Sequence, residues 1–449
     1  MYRCVVTIFY LIFFCGNAFS HVSYQPEQVH LSYGDNELEI VVTWSTQNKT
    51  AESIVEYGIN GYILREFGYS FKFVDGGELH REQYIHRVVL PNLVPDSKYV
   101  YHCGSNMGWS SQYWFNTRPE SPDWSPHLAI FGDMGNENAQ SLSRLQEETQ
   151  KGLYDAILHV GDFAYDMNTD NGLVGDDFMR QIETIAAYVP YMVCVGNHEE
   201  KYNFSHYRAR FSMPSDSESL VYSFNMGPIH FIAFSTEVYY FLNYGMKQLI
   251  YQYQWLENDL KEANKPENRK IHPWIIAFGH RPMYCSNNNT DDCHRHDTYV
   301  RVGLPFTHYF GLENLFYKYG VDVYIGAHQH SYERLWPIYD YKVRNGSYTE
   351  PYTNPKAPVH IITGSAGCNE GHSEFNYDLP EWSAGCNEGH SEFNYDLPEW
   401  SAFRSEDYGY TKLKAHNETH LYFEQISVDK LGQVIDDFWI IKDSHDAYP

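Results

Sequence analysis

Beyond its first twenty residues the chain has no apolar stretch approaching the roughly 20 residues that cross a bilayer. Basic residues are scarce: 32 Lys and Arg stand against 58 Asp and Glu, for a formal net charge of −26. That balance excludes nucleic acid as an electrostatic partner. No Gly-x-Ser-x-Gly elbow occurs, so serine-esterase chemistry has no nucleophile. No Walker loop or dinucleotide fingerprint occurs either, which removes nucleotide-driven transfer. Cysteine is sparse, with eight in 449 residues. Cys285 and Cys293 lie close together in MYCSNNNTDDCH, but no second pair accompanies them as a four-ligand zinc site would need.

What is present begins with a leader. Arg3, the apolar run from Val5 to Phe14 and the small-residue site Ala18-Phe-Ser20 predict a cleaved signal over residues 1–20. The polar end DSHDAYP is not a lipid-anchor tail. A soluble, secreted or lysosomal protein is the expectation. Asn-x-Ser/Thr triplets at Asn48, Asn203, Asn288, Asn345 and Asn417 agree with that route. In an oxidising compartment Cys285 and Cys293 are expected to form a disulfide. Cys103, Cys194, Cys368 and Cys386 cannot be paired from sequence. At 43% hydrophobic and 20% charged residues the composition is globular, and the length allows two or three domains.

Residues 22–118 alternate apolar and polar side chains in ELEIVVTWST, HRVVLPNLVPDSKYVYHCG and SQYWFNTRP, between Gly, Pro and Asn punctuation. The pattern predicts an all-β antiparallel sandwich and resembles a fibronectin-type module. Three prolines in 119–126 mark a linker. From 127 to 415 short apolar runs alternate with helix-compatible stretches, among them Ser141 to Lys151 and Tyr251 to Ala263. This predicts an α/β domain, with 416–449 adding strands that complete it. One segment is repeated letter for letter: SAGCNEGHSEFNYDLPEW fills Ser365 to Trp382 and again Ser383 to Trp400. Two identical units are too few for a repeat fold. One copy is expected on the native path with the other looped out, and His372 and His390 are not read as metal ligands.

Five apolar runs of the α/β region end in potential ligands. HLAIFGDMG ends at Asp133, and AILHVGDFAYD gives Asp162 and Tyr165. YMVCVGNHE gives Asn197 and His198, IIAFGHRPMY gives His280, and VDVYIGAHQH gives His328 and His330. In α/β folds, ligands gather where strands end at their carboxyl side. One such ending is a turn; five in one domain point to a site. Carboxylates, imidazoles, an amide oxygen and a phenol suit hard-to-borderline metals. Seven ligands are too many for one tetrahedral ion but suffice for two ions about 3.5–4 Å apart with a shared carboxylate. A tyrosine, of reference pKa about 10, ionises readily only beside a strongly charged metal, which argues for a trivalent ion.

GDMG, GDFAY, GNHE, the FGH of IIAFGHRP and AHQH stand in the order of the metallophosphoesterase motifs. The tyrosine narrows the resemblance to purple acid phosphatases, and AHQHSYERLWP is similar to the animal iron/zinc-type branch. The resemblance implies a metallophosphoesterase β-sandwich flanked by helices, preceded by the fibronectin-type sandwich. It implies Fe(III) on Asp133, Asp162, Tyr165 and His330. A divalent ion (zinc, iron or manganese) would sit on Asp162, Asn197, His280 and His328, with Asp162 as the bridge. Ala327 replaces the glycine that usually precedes the His-x-His pair. His198 and His296 are implied at the substrate, as donors to phosphate and leaving group beside Asn197, with His294 as the alternative to His296. His102, His127 and His159 are read as structural. The implied activity is acid hydrolysis of phosphate monoesters, by attack of a metal-bound hydroxide on phosphorus. A homodimer is implied by the resemblance alone. Two rivals stand beside this reading: a two-metal phosphodiesterase and a secreted binding protein that has lost turnover.

Overall fold

The computed structural model describes residues 22–121, 123–215, 217–287, 293, 295–373, 375 and 398–448. The leader, Asn288, His294, Cys386 and His390 lie outside them. Period-two alternation puts successive side chains on opposite faces, and the first module folds accordingly into two antiparallel sheets. One orders its strands Glu27–Tyr33, Ile40–Thr46, Glu82–Leu90, Tyr69–Val74. The other runs Leu64–Phe67, Ile54–Gly58, Lys98–Ser105, Gly108–Trp109, with Tyr113–Asn116 also paired to Lys98–Ser105. Trp44, Val88, Leu90, Tyr101 and Phe115 belong to their buried core.

The apolar runs of the second region become strands covered on both faces. Ala156–Val160, Trp274–Phe278 and Val359–Thr363 are buried at every position, as strands between layers must be. A six-stranded sheet runs Tyr191–Cys194, Ala156–Val160, His127–Phe131, Gly409–Asn417, His420–Ser427, Gln433–Ile441. A seven-stranded sheet runs Val221–Met226, Ile229–Phe234, Trp274–Phe278, Val323–Gly326, Val359–Thr363, Tyr332–Leu335, Ser401–Ser405. Leu128, Ile130, Phe278, Ile325 and Phe423 share one core between them. The expected division at residue 415 falls inside the strand Gly409–Asn417. That strand pairs with His127–Phe131 on one side and His420–Ser427 on the other, so no boundary separates 416–449 from the rest of the sheet.

Helices Leu142–Gln150, Thr169–Ala186 and Lys247–Ala263 accompany the sheets. The last begins earlier than the expected Tyr251, because Leu249 extends the buried stripe of Leu256, Leu260 and Ala263. Glu183 of the second helix accepts the Val29 amide at 3.0 Å and the Tyr113 hydroxyl, joining the first module to the second. No helix among the described residues is long and apolar enough to cross a membrane.

Within each sheet a run of neighbouring strands is parallel: His127–Phe131, Ala156–Val160 and Tyr191–Cys194 in one, and Ile229–Phe234, Trp274–Phe278, Val323–Gly326 and Val359–Thr363 in the other. Their carboxyl ends are tied across the layers. The Gly132 amide donates to the Thr363 carbonyl at 2.8 Å, and the Thr363 hydroxyl to that of Ile130 at 3.3 Å.

Candidate metal centre

Asp133, Asp162, Asn197, His280 and His328 each follow the last residue of one of these strands by two or three positions. Asp133, Asp162, Tyr165 and His328 all hold positive φ, between 47° and 64°. Such backbone is uncommon outside glycine and is kept where the surroundings enforce it. Two motif glycines allow the loops to close up. A Cβ on Gly161 would lie 2.5 Å from His280 Nδ1, and one on Gly196 would lie 2.2 Å from Asp162 Oδ1. Ala327 in turn packs against Gly132, where an added Cβ would meet the alanine methyl at 2.4 Å.

The seven residues gather as two groups. In one, the Tyr165 hydroxyl lies 3.1 Å from Asp133 Oδ1 and 2.9 Å from His330 Nε2, which is 3.5 Å from Asp133 Oδ1. In the other, His280 Nε2 lies 3.0 Å from Asp162 Oδ2, 3.1 Å from Asn197 Oδ1 and 3.2 Å from His328 Nδ1. The groups touch: Asp133 Oδ2 accepts the His328 amide at 2.9 Å.

The donor chemistry fits cations. His280 Nδ1 donates to the Val160 carbonyl at 2.9 Å, and His330 Nδ1 to that of Gly371 at 2.8 Å. In the neutral His280 ring Nε2 then turns a lone pair on the oxygens of Asp162 and Asn197, whereas His330 Nε2 accepts from the Tyr165 hydroxyl. At His280 a proton or a metal ion between them relieves this. Without metal, protons are drawn in. Burial lowers the His280 imidazole, but Asp162 and Asp133 more than offset it and raise it to about 10. Burial likewise lowers His330, and its bonds to Asp133 and Cys368 carry it up to about 11. Burial, Asp133 and Asp162 hold the Tyr165 phenol well above its usual range, so a strongly charged ion is needed to ionise it. His328 moves the other way, pushed down by burial and by Arg281.

Around the groups stand His198 and other residues whose roles the motifs did not announce. His198 Nδ1 bonds Asp166 Oδ1 at 2.8 Å, and its Nε2 lies 3.7 Å from Glu370 Oε1. Burial lowers His198, and the Asp166 bond and the Asp162 charge outweigh it, raising it to about 9. Glu199, buried, accepts the amides of Asp162 at 3.0 Å and of Phe163 and Gly196 at 2.9 Å, stapling two ligand loops together. Arg281 pairs with buried Glu237 at 3.0 Å and donates to His328 Nε2 at 3.1 Å. Asp166, Glu199 and Arg281 lie inside quoted motif stretches, GDFAYD, GNHE and GHRP. Sequence showed them as neighbours of ligands and gave no sign of their partners.

The first copy of the duplicated segment enters here. Cys368 Sγ lies 3.2 Å from His330 Nδ1, and Ser373 Oγ accepts the His330 amide at 2.8 Å. Pro398–Trp400, from the end of the second copy, leads into the strand Ser401–Ser405. The disulfide Cys285–Cys293 is formed, while Cys103, Cys194 and Cys368 are buried thiols. His296 is exposed and stacks on Tyr341 with ring centroids 4.5 Å apart. No contact among the described residues joins it to the ligand groups. His102 bonds Glu56, buried His159 bonds the Tyr191 hydroxyl, and His127 begins the strand that lies between Ala156–Val160 and Gly409–Asn417; among the described residues none of the three hydrogen-bonds a ligand group. His372 lies against Tyr408, with ring centroids 4.1 Å apart.

Two layered sheets, with oxygen and nitrogen donors collected where their parallel strands end, define a metallophosphoesterase. A family model described as calcineurin-like phosphoesterase matches residues 126–332, and one for the purple acid phosphatase N-terminal domain matches 26–117. A third, for the iron/zinc purple acid phosphatase-like C region, matches twice, over 357–384 and 383–437, with its seam at the duplication. Acid phosphatase type 7 of Danio rerio is 57% identical over 427 residues, 94% of this chain and 92% of that protein. The Homo sapiens protein of the same name is 53% identical over 93% of this chain and 91% of its own length. Among solved structures, a purple acid phosphatase from yellow lupin seeds superposes with a TM-score of 0.74 at 26% identity, covering 94% of this chain and 75% of that one. The chain belongs to the purple acid phosphatases, in their animal branch.

Proposed function

We propose that the protein is an acid phosphatase that hydrolyses phosphate monoesters at a binuclear metal centre, and that it works in a secreted or lysosomal setting. The observation that carries the reading is the gathering of seven oxygen and nitrogen donors into two linked groups, with His280 Nε2 3.0 Å from Asp162 Oδ2 in one and His330 Nε2 3.5 Å from Asp133 Oδ1 in the other. Asp133, Tyr165, His330 and Asp162 would hold Fe(III). Asn197, His280, His328 and Asp162 would hold zinc, iron or manganese. When bound, such a pair supplies Lewis-acid charge to the phosphoryl oxygens and a water of lowered pKa.

The remaining work falls to the chain's own groups. Asp166 occupies His198 Nδ1, so the imidazolium keeps its second proton on Nε2. The Asp166 carboxylate on Nδ1 favours the cationic form of the His198 ring. The ring is fit to donate to a phosphoryl oxygen or to protonate the departing alcohol. Arg281 and Glu237 fix the His328 ring, and Glu199 fixes the loop that carries Asp162. The Tyr165 phenol beside Asp133 favours this reading over a phosphodiesterase with two divalent ions, since it suits a trivalent one.

The test is an assay on a generic phosphate monoester at pH 5, before and after chelation, with metal analysis of the same sample. Activity that falls with the metal content supports the proposal. Full activity in metal-free protein contradicts it.

A further inference from the structure

The fold treats the Asn-x-Ser/Thr triplets unequally. At Asn203 and Asn345 the amide oxygen is buried without a partner, and Asn203 sits within the helix Lys201–Arg210 beside buried Phe204. Asn48 is exposed, but the hydroxyl of its buried partner Thr50 is turned to the Glu52 carbonyl. Asn417 differs from all of these. It is exposed at the tight turn between the strands Gly409–Asn417 and His420–Ser427. Its Oδ1 accepts both the amide and the hydroxyl of Thr419, each at 2.9 Å, and its carbonyl is anchored by Trp274 Nε1 at 3.0 Å. Asn417 Nδ2 has no hydrogen-bond partner among the described residues.

Beside this turn lies an aromatic shelf. Trp439 is 39% exposed, and its ring stands 4.7 Å from those of His416 and Tyr422 and 5.9 Å from that of His420. Asn417 falls in the chain between His416 and His420, the two histidines that flank the tryptophan. A groove of about 370 Å³ continues from the shelf past Lys414 and Glu424. Exposed aromatic faces with polar neighbours suit the C–H-lined faces of pyranose rings, being apolar at the centre and wet at the edge.

We propose that Asn417 carries an N-linked oligosaccharide whose first N-acetylglucosamine rings lie on the Trp439 shelf. This rests on entry of the chain into the secretory route, with an oligosaccharide diphosphate-lipid as donor. Asn417 Nδ2 forms a bond to the anomeric carbon, the bond from that carbon to the diphosphate oxygen breaks, the diphosphate-lipid leaves with the electron pair, and one amide proton is lost. The sugar then covers the exposed indole.

The full chain secreted from a eukaryotic host would be treated with peptide N-glycosidase in heavy-oxygen water and mapped by mass spectrometry. Asn417 is expected to be occupied in most molecules. Occupancy at Asn48 with Asn417 bare overturns the inference alone; no modified triplet at all overturns the secretory reading with it. For the shelf, release of the Asn417 sugar from native protein is expected to be roughly threefold to tenfold faster in Trp439→Ser than in wild type, the scale of one aromatic stacking contact. Equal release rates from the two folded proteins, with both fully occupied, overturn the shelf. Asn417→Gln is expected to leave phosphatase turnover unchanged.

Discussion

Glu199 offers the sharpest test of how the site is held. Its side chain accepts three buried backbone amides, from Asp162, Phe163 and Gly196. Glu199→Ala strands all three, and a buried donor without a partner costs about 1–3 kcal/mol. The sum, about 3–9 kcal/mol, is comparable with the about 5–15 kcal/mol that holds a typical domain folded. Glu199→Gln separates geometry from charge. Oε2 serves Asp162 and Gly196, and Oε1 serves Phe163. A glutamine oxygen in the Oε2 position keeps two bonds and loses one, for about 1–3 kcal/mol. Burial and the Asp162 charge raise the Glu199 carboxyl, while the backbone amides it accepts favour its charged form. Denaturant midpoints and metal content after dialysis at pH 5 would be measured for both variants. Alanine is expected to unfold the protein or empty the site, and glutamine to retain metal with a modest loss of stability. An alanine variant within 1 kcal/mol of wild type, or a glutamine variant as impaired as alanine, would refute the stapling role.

Three further outcomes are expected. His198→Ala should keep its metal and lower turnover by about 10²–10⁴-fold, as read from kcat on several phosphate esters; an unchanged kcat removes His198 from the chemistry. His86 is fully buried between Thr46 and Ser53, and burial lowers it to about 4. The unfolded chain binds its proton near pH 6.5 and the folded chain only near 4, so stability is present above the first value and falls as pH drops through that window. At pH 5 the loss is about 2 kcal/mol from this group, and His86→Gln should flatten the slope of chemical-denaturation stability by one proton. Excising residues 383–400 leaves Trp382 joined to Ser401 and every first-copy contact at His330 available. Folding yield and phosphatase activity should equal or exceed those of the full chain, and a loss of activity would mean that both copies are needed.

The candidate site was legible in sequence because each loop that carries a proposed ligand follows a short apolar strand, a local pattern. GDFAYD, GNHE and AHQH announce Asp162, Asn197 and His328 by residue type and order alone. What surrounds them was not legible, because Glu199 staples a loop 37 residues away and Arg281 reaches His328 across 47, separations that no local pattern encodes. The strand Gly409–Asn417 was cut in two at residue 415 for the same reason. Its place is fixed by pairing with His127–Phe131, on the far side of the domain in sequence. His296 was placed by resemblance rather than by any pattern of its own, and the fold sets it on Tyr341.

The central claim is that one carboxylate serves two ions, and metal stoichiometry in wild type and Asp162→Ala addresses it most directly. Wild type should hold two metal ions per chain, one of them iron, and the variant should lose both along with its activity on phosphate esters. A folded Asp162→Ala protein that keeps its iron and its turnover would contradict the account.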